Sequence, residues 1–157
     1  MSLVDPVALA RPAALLKMVH EPFHADSERM RALRTEILLR QVHGQPNVLA
    51  VVSPGLGEGR SLLAANLAIA CAQLGEPTLL IDANLRRPMQ QQLFAASGPR
   101  GVGDLATGAT PQLQAVEGLP QLAVLVAGAP CRHPQELLAG SRFTEGMAVW
   151  RQRYRHI

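Results

Sequence analysis

An unbroken apolar run, Val48-Leu49-Ala50-Val51-Val52, leads directly into Ser53-Pro54-Gly55-Leu56-Gly57-Glu58-Gly59-Arg60-Ser61. A run that is apolar on both faces suits a strand in the interior of a parallel sheet. The glycines after it let the backbone turn sharply. Arg60 to Leu74 then reads as a helix, with Gly75 as its C-cap. A strand, a glycine-rich turn and a helix in that order restrict the chain to a few architectures. Two more apolar runs follow, Thr78-Leu79-Leu80-Ile81 and Leu122-Ala123-Val124-Leu125-Val126, with helical stretches between them. Strands alternating with helices predict an α/β fold around a parallel sheet.

Further elements complete the expectation. Ser27 is a candidate N-cap for a helix running to about Gln41, with Met30, Leu33 and Ile37 as its apolar stripe. A short helix is expected over Ala13–Val19 and a helix over Leu85–Ala96, interrupted early by Pro88. Gly101–Gly108 reads as a loop with one helical turn, Pro134–Leu138 as a helix start, and Phe143–Tyr154 as a last helix. Residues 1–26 read as an N-terminal flank and 27–157 as the main domain.

Composition narrows the function classes. The 157 residues are 48% hydrophobic and 17% charged, enough apolar material for a core. Aromatics make up only 3%, which argues against a base-stacking surface for nucleic acid. The basic end Arg151–His156 complements the dipole of a last helical turn. Two cysteines, Cys71 and Cys131, are too few for a disulfide framework or a zinc cluster. His20 and His24 stand four apart, but Pro22 between them disfavours the helix a metal pair would need. No run reaches the roughly 18–20 apolar residues of a membrane helix.

The glycine-rich segment has the context of a phosphate-binding loop, between a strand and a helix. Backbone N–H groups of such a loop can face phosphate oxygens, and the helix N-terminus adds partial positive charge. Gly55, Gly57, Glu58, Gly59, Arg60, Ser61 and Leu62 are therefore the candidate nucleotide-binding residues, with the Ser61 hydroxyl placed for Mg²⁺. Two positions depart from the strict G-x-x-x-x-G-K-[ST] pattern. Pro54 stands for the first glycine, and Arg60 for the lysine. Arginine keeps the charge but is planar and forked. Asp82 ends the second strand, where an acid faces the ligand crevice of an α/β sheet. It can orient Mg²⁺ or take a proton from an attacking hydroxyl. Its bland alternative is a helix N-cap. Arg86 and Arg87 follow, as phosphate-side or substrate-side charges or as a solvated helix face.

Together these motifs resemble the bacterial tyrosine kinases, P-loop autokinases of capsule and exopolysaccharide export. Ser53 with Gly57-Glu58-Gly59-Arg60-Ser61 and Asn66-Leu67-Ala68 is similar to the family's first motif. Leu79-Leu80-Ile81-Asp82-Ala83-Asn84-Leu85-Arg86-Arg87-Pro88 resembles its Walker A′ motif. Pro134-Gln135-Glu136-Leu137-Leu138 after Ala127-Gly128 resembles a later one, and Glu28, Arg31 and Arg34 match a helix that the family uses for self-assembly. The resemblance implies a doubly wound, MinD/ParA-like P-loop sheet, incomplete here. It implies ATP and Mg²⁺ as cofactors, with Arg60 and Asp82 as catalytic residues and Ser61 and Asp82 at the metal. It implies a cytoplasmic protein, peripheral to the inner membrane through a transmembrane chain-length-determinant partner. It also implies a homo-oligomer formed through Glu28, Arg31 and Arg34.

Three departures accompany the resemblance. Asn84 replaces an aspartate of Walker A′. The chain is expected to stop before the Walker B strand, and Tyr154 is its only tyrosine. Losing a carboxylate beside a metal commonly weakens affinity about 10- to 100-fold. The expectation is a weak or inactive kinase-like chain. The alternatives are a non-catalytic assembly partner or degenerate remnant of that machinery, and a partition-type ATPase. The last is disfavoured by Gly55, where such proteins carry a lysine.

Overall fold

A computed structural model describes residues 8–40, 45–96 and 100–157. Strand β2 (Thr78–Ile81) lies parallel to β4 (Leu119–Leu125), with Thr78 opposite Leu122 and Ile81 opposite Leu125. β4 also pairs antiparallel with β3 (Gln114–Val116) through a turn at Gly118, whose φ is +74°. β1 (Ala8–Ala10) runs parallel to β3, giving the order β1-β3-β4-β2. The fold is thus the expected α/β class with a mostly parallel open sheet. The β3–β4 hairpin and β1 are additions to the expected strands. From residue 8 onward the expected flank adds both a strand and core side chains, because Leu16 and Met18 are fully buried.

Successive side chains of a strand alternate between faces. Leu80, Leu122, Val124 and Val126 therefore join one core and Leu79, Ala123, Leu125 and Ala127 another. Helix α3 (Arg60–Ala72) covers the first face, and every residue from Ala65 to Ala72 is buried. Asn66 is the polar exception in that run. Its amide donates to the Leu62 carbonyl and its oxygen accepts the Met18 N–H, so α1 (Lys17–His20) is held onto α3. Helix α6 (Ser141–Arg153) covers the second face with Trp150, together with α5 (Pro134–Ala139). The Ala127-Gly128 pair has a steric reason. Gly128 adopts φ +71°, and a Cβ on Gly101 would lie 2.1 Å from the Val126 carbonyl oxygen. Asp104, in the 3₁₀ turn Val102–Thr107, joins the two segments by accepting from Gly101 and Ala129.

The expected strand over 48–52 is not formed. Only Asn47 is bridged there, to His156, while Ile157 donates its N–H to the Asn47 carbonyl and accepts the Leu49 N–H. Residues 155–157 run between β2 and 47–49, and they offer ladder groups to Asn47 and Leu49 alone. Val52 is 82% exposed. His156 is buried at this seam, with Nε2 on the Glu76 carboxylate.

Other boundaries shift for local reasons. Helix α2 spans Ala25–Leu39 and is capped by His24, whose Nδ1 accepts the Asp26 N–H. Ser27, the expected cap, is buried instead and donates to the Glu21 carbonyl. The helix expected over 85–96 shrinks to α4 (Gln90–Leu93), because residues 82–90 form a side-chain-braced loop. The short helix expected at 13–19 forms only at Lys17–His20.

Candidate nucleotide site

The loop turns into α3 through two left-handed residues, Gly57 at φ +75° and Gly59 at φ +78°. A side chain at either would be strained there. Gly59 is the N-cap of α3, so the helix's free N–H groups open toward the loop. Arg60 folds back to the first loop residue. Its Nη1 donates to the Ser53 carbonyl and hydroxyl, both at 2.8 Å. Glu58 also turns inward. The Ser53 hydroxyl, then the Gly55 N–H, hold its carboxyl below the usual range, with Arg60 adding to that effect. Leu62 is 38% exposed at the start of α3.

Asp82 follows β2 directly, and its own N–H donates to the Leu125 carbonyl. The side chain is 4% exposed. Oδ1 accepts from the Asn84 N–H at 3.1 Å, and Oδ2 from those of Met89 and Gln90, both at 2.9 Å. Burial pushes the carboxyl pKa up, and these three bonds oppose that rise. Asn84 closes the loop further. Its amide donates to the Arg87 carbonyl while its oxygen accepts the Arg87 N–H. An ionised aspartate there can accept but not donate. Arg86 and Arg87 are exposed on this loop.

Gln90 joins the two halves, and no motif pointed to it. It is 3% exposed, and its Nε2 donates to the Ser61 carbonyl at 2.9 Å. Its backbone N–H is one of the three on Asp82. Ser61, Arg60, Asp82, Asn84 and Gln90 line one cleft of about 650 Å³, whose apolar wall is the run 48–52. Cys71 lines it as well, with its thiol pushed up to about 11 by burial. Among the described residues no group of three His, Cys, Asp or Glu side chains is arranged to hold a metal. The donor set still fits Mg²⁺, which takes one or two carboxylates and keeps waters. Asp82 has about four acceptor positions and spends three. Ser61 supplies a hydroxyl at the helix start.

The expected assembly helix divides. Arg31 pairs with Glu28 on the same helix at 2.5 Å. Arg34 instead donates to the Ala70 carbonyl at 2.9 Å, one of the unpaired carbonyls ending α3. That contact places its charge at the negative end of α3.

The fold and loop define a P-loop type α/β domain. No protein-family model matches the chain. It is 32% identical over 128 residues to the putative tyrosine-protein kinase CapB of Staphylococcus aureus, covering 80% of this chain and 56% of that protein. It is 35% identical over 127 residues to the tyrosine-protein kinase YwqD of Bacillus subtilis, covering 80% and 54%. The solved VpsO kinase domain is 34% identical, with a TM-score of 0.67, over 86% of this chain and 70% of that one. The chain belongs to the bacterial tyrosine-protein kinase family. It spans little more than half the length of CapB and YwqD.

The Asp82 bonds generate a stability prediction. Asp82→Ala leaves three backbone N–H groups without their acceptor, at a cost of about 1–3 kcal/mol for each one that stays buried. Urea denaturation reads this as a lower midpoint with an unchanged slope. Because the folded carboxyl pKa is raised, the native state holds the proton more tightly than the unfolded chain. The wild type therefore loses Asp82-linked stability as pH rises from the ordinary carboxylate value through the raised one. Asp82→Ala removes that part of the pH dependence. A midpoint equal to wild type across this window contradicts the anchoring role.

Proposed function

We propose that this chain binds Mg·ATP at the loop 53–61 and serves a tyrosine kinase of exopolysaccharide or capsule export. One observation carries the reading. Gln90 ties the first turn of the loop's helix to the acid after β2, which sets Ser61 and Asp82 on one cleft. The loop amides and the α3 N-terminus receive phosphate oxygens. Arg60 exchanges its bonds to Ser53 for bonds to phosphate, for which its fork is suited. Ser61 and Asp82 face the cation, which supplies neutralising charge for phosphoryl transfer. In this reading Asp82 also takes the proton of an incoming tyrosyl hydroxyl. Arg86 and Arg87 offer charge on the substrate side. Turnover by these residues is slow, because Asp82 is the one acidic side chain lining the cleft among the described residues.

In the same reading the partner is a membrane-embedded chain-length regulator, and the chain works on the cytoplasmic side. Among the described residues no helix is long and apolar enough to cross a membrane. Self-assembly then proceeds through the exposed Glu28 and the Arg31 beside it, while Arg34 fastens α2 to α3.

Two measurements check the reading. Titration calorimetry with Mg·ATP gives saturable heat for the wild type. Arg60→Ala weakens binding roughly 10- to 100-fold, the worth of about 1.5–3 kcal/mol for a hydrogen bond to a charged group. Ser61→Ala weakens it in the presence of Mg²⁺. Equal heats in all three proteins contradict the site. Sedimentation velocity tests assembly. Arg31→Ala moves the profile toward monomer, and an unchanged profile returns the pair to an ordinary solvated ion pair.

A further inference from the structure

Between residues 53 and 61 Glu58 is the one acidic side chain and Arg60 the one basic. An acid there is at odds with the rest of the segment, whose backbone N–H groups and helix N-terminus attract anions. Its charge is turned onto the loop itself. Glu58 stands between the left-handed Gly57 and Gly59, and its side chain bends back over the start of the loop. The carboxylate lies against Gly55 so closely that a methyl group on that residue would collide with Oε1. It accepts the Gly55 N–H and the Ser53 hydroxyl, the contacts that hold its carboxyl below the usual range. A serine hydroxyl has one proton to donate and two acceptor positions. The same Ser53 oxygen receives Arg60 Nη1 at 2.8 Å. The Gly55 carbonyl lies 3.3 Å from it, too far to compete strongly for the hydroxyl proton. Arg60, Ser53 and Glu58 therefore form one chain of bonds across the loop.

We infer that Glu58 is an autoinhibitory anion of the phosphate loop, whose carboxylate takes the Gly55 N–H and, through Ser53, holds Arg60, so that the phosphates of a nucleotide must displace it to bind. The inference rests on the Mg·ATP reading above, and it gives Glu58 a role opposite to that of its neighbours. They receive the ligand, and Glu58 competes with it. A carboxylate presents acceptor oxygens to N–H and O–H donors as a phosphate does. Because it is tethered a few residues from the donors it takes, it competes as an intramolecular ligand. The contact is exposed, so it is weak enough for a phosphate to replace.

Two substitutions separate the charge of Glu58 from its reach. Glu58→Gln keeps the length and removes the charge. Glu58→Asp keeps the charge and shortens the side chain, so that it falls short of Gly55. Titration calorimetry of the full chain with Mg·ATP reads the affinity. The inference predicts tighter binding in both variants, by about two- to fivefold, the scale of an exposed charged contact. A gain in Glu58→Gln alone marks general repulsion between like charges and overturns the inference. A gain in Glu58→Asp alone overturns it too, because length and not charge then matters. Equal or weaker binding in both variants also overturns it, while leaving the nucleotide site standing. A wild type without heat beside two variants that bind supports the inference in its strongest form. If none of the three binds, the site reading and this inference fail together.

Discussion

The buried carboxylate of Asp82 is the constraint on which the site depends. Three backbone N–H groups from residues 84, 89 and 90 converge on it. They gather a loop that carries both exposed arginines and the bridging glutamine. Asp82 is itself placed by the parallel pairing of β2 and β4, which its N–H continues onto Leu125. Sheet register therefore sets the carboxylate, and the carboxylate sets the loop. Burial disfavours the charge, so the bonds are needed to keep an ionised group there.

The other half of the site rests on α3. Its buried run of small and aliphatic residues seats the helix flat on the sheet. Asn66 and Gln73 fasten α1 to it, and Arg34 fastens α2 at its C-terminal end. The N-terminal end is left for the loop, where Gly57 and Gly59 take conformations that other residues avoid. Arg60 and Glu58 both turn onto Ser53, so the loop's charged groups find partners within the loop. In the proposed reading a nucleotide replaces those contacts, and the planar fork of Arg60 is suited to phosphate oxygens.

Much of this was legible in the residues, and the misses have physical reasons. Thr78–Ile81 and Leu122–Leu125 are apolar on both faces, and both form strands with two-sided cores. Val48–Val52 has the same composition and forms none, because ladder partners are a tertiary property. β3 is three residues long, too short for periodicity to announce it, although Gly118 marks its turn. Gln90 was invisible because its importance lies in contacts 8 and 29 positions away in the chain. Arg34 fits a charged helical stripe equally well whether it faces a subunit or Ala70, and only the packing of α2 on α3 distinguishes them. Asp82 fitted a motif and a capping residue equally well in the sequence; α4 has Met89 as its N-cap, so Asp82 caps no helix and its bonds brace the loop that follows β2.

Amide hydrogen exchange with and without Mg·ATP tests the central claim, a preformed acid loop facing a phosphate loop that closes on ligand. The account predicts that amides 84, 89 and 90 are protected in the empty protein and stay so. It predicts that amides 55–61 exchange quickly when empty and slow by about tenfold or more once nucleotide binds, as their N–H groups gain phosphate partners. Fast exchange at 84, 89 and 90 in the empty protein, or an unchanged loop at saturating Mg·ATP, would contradict it.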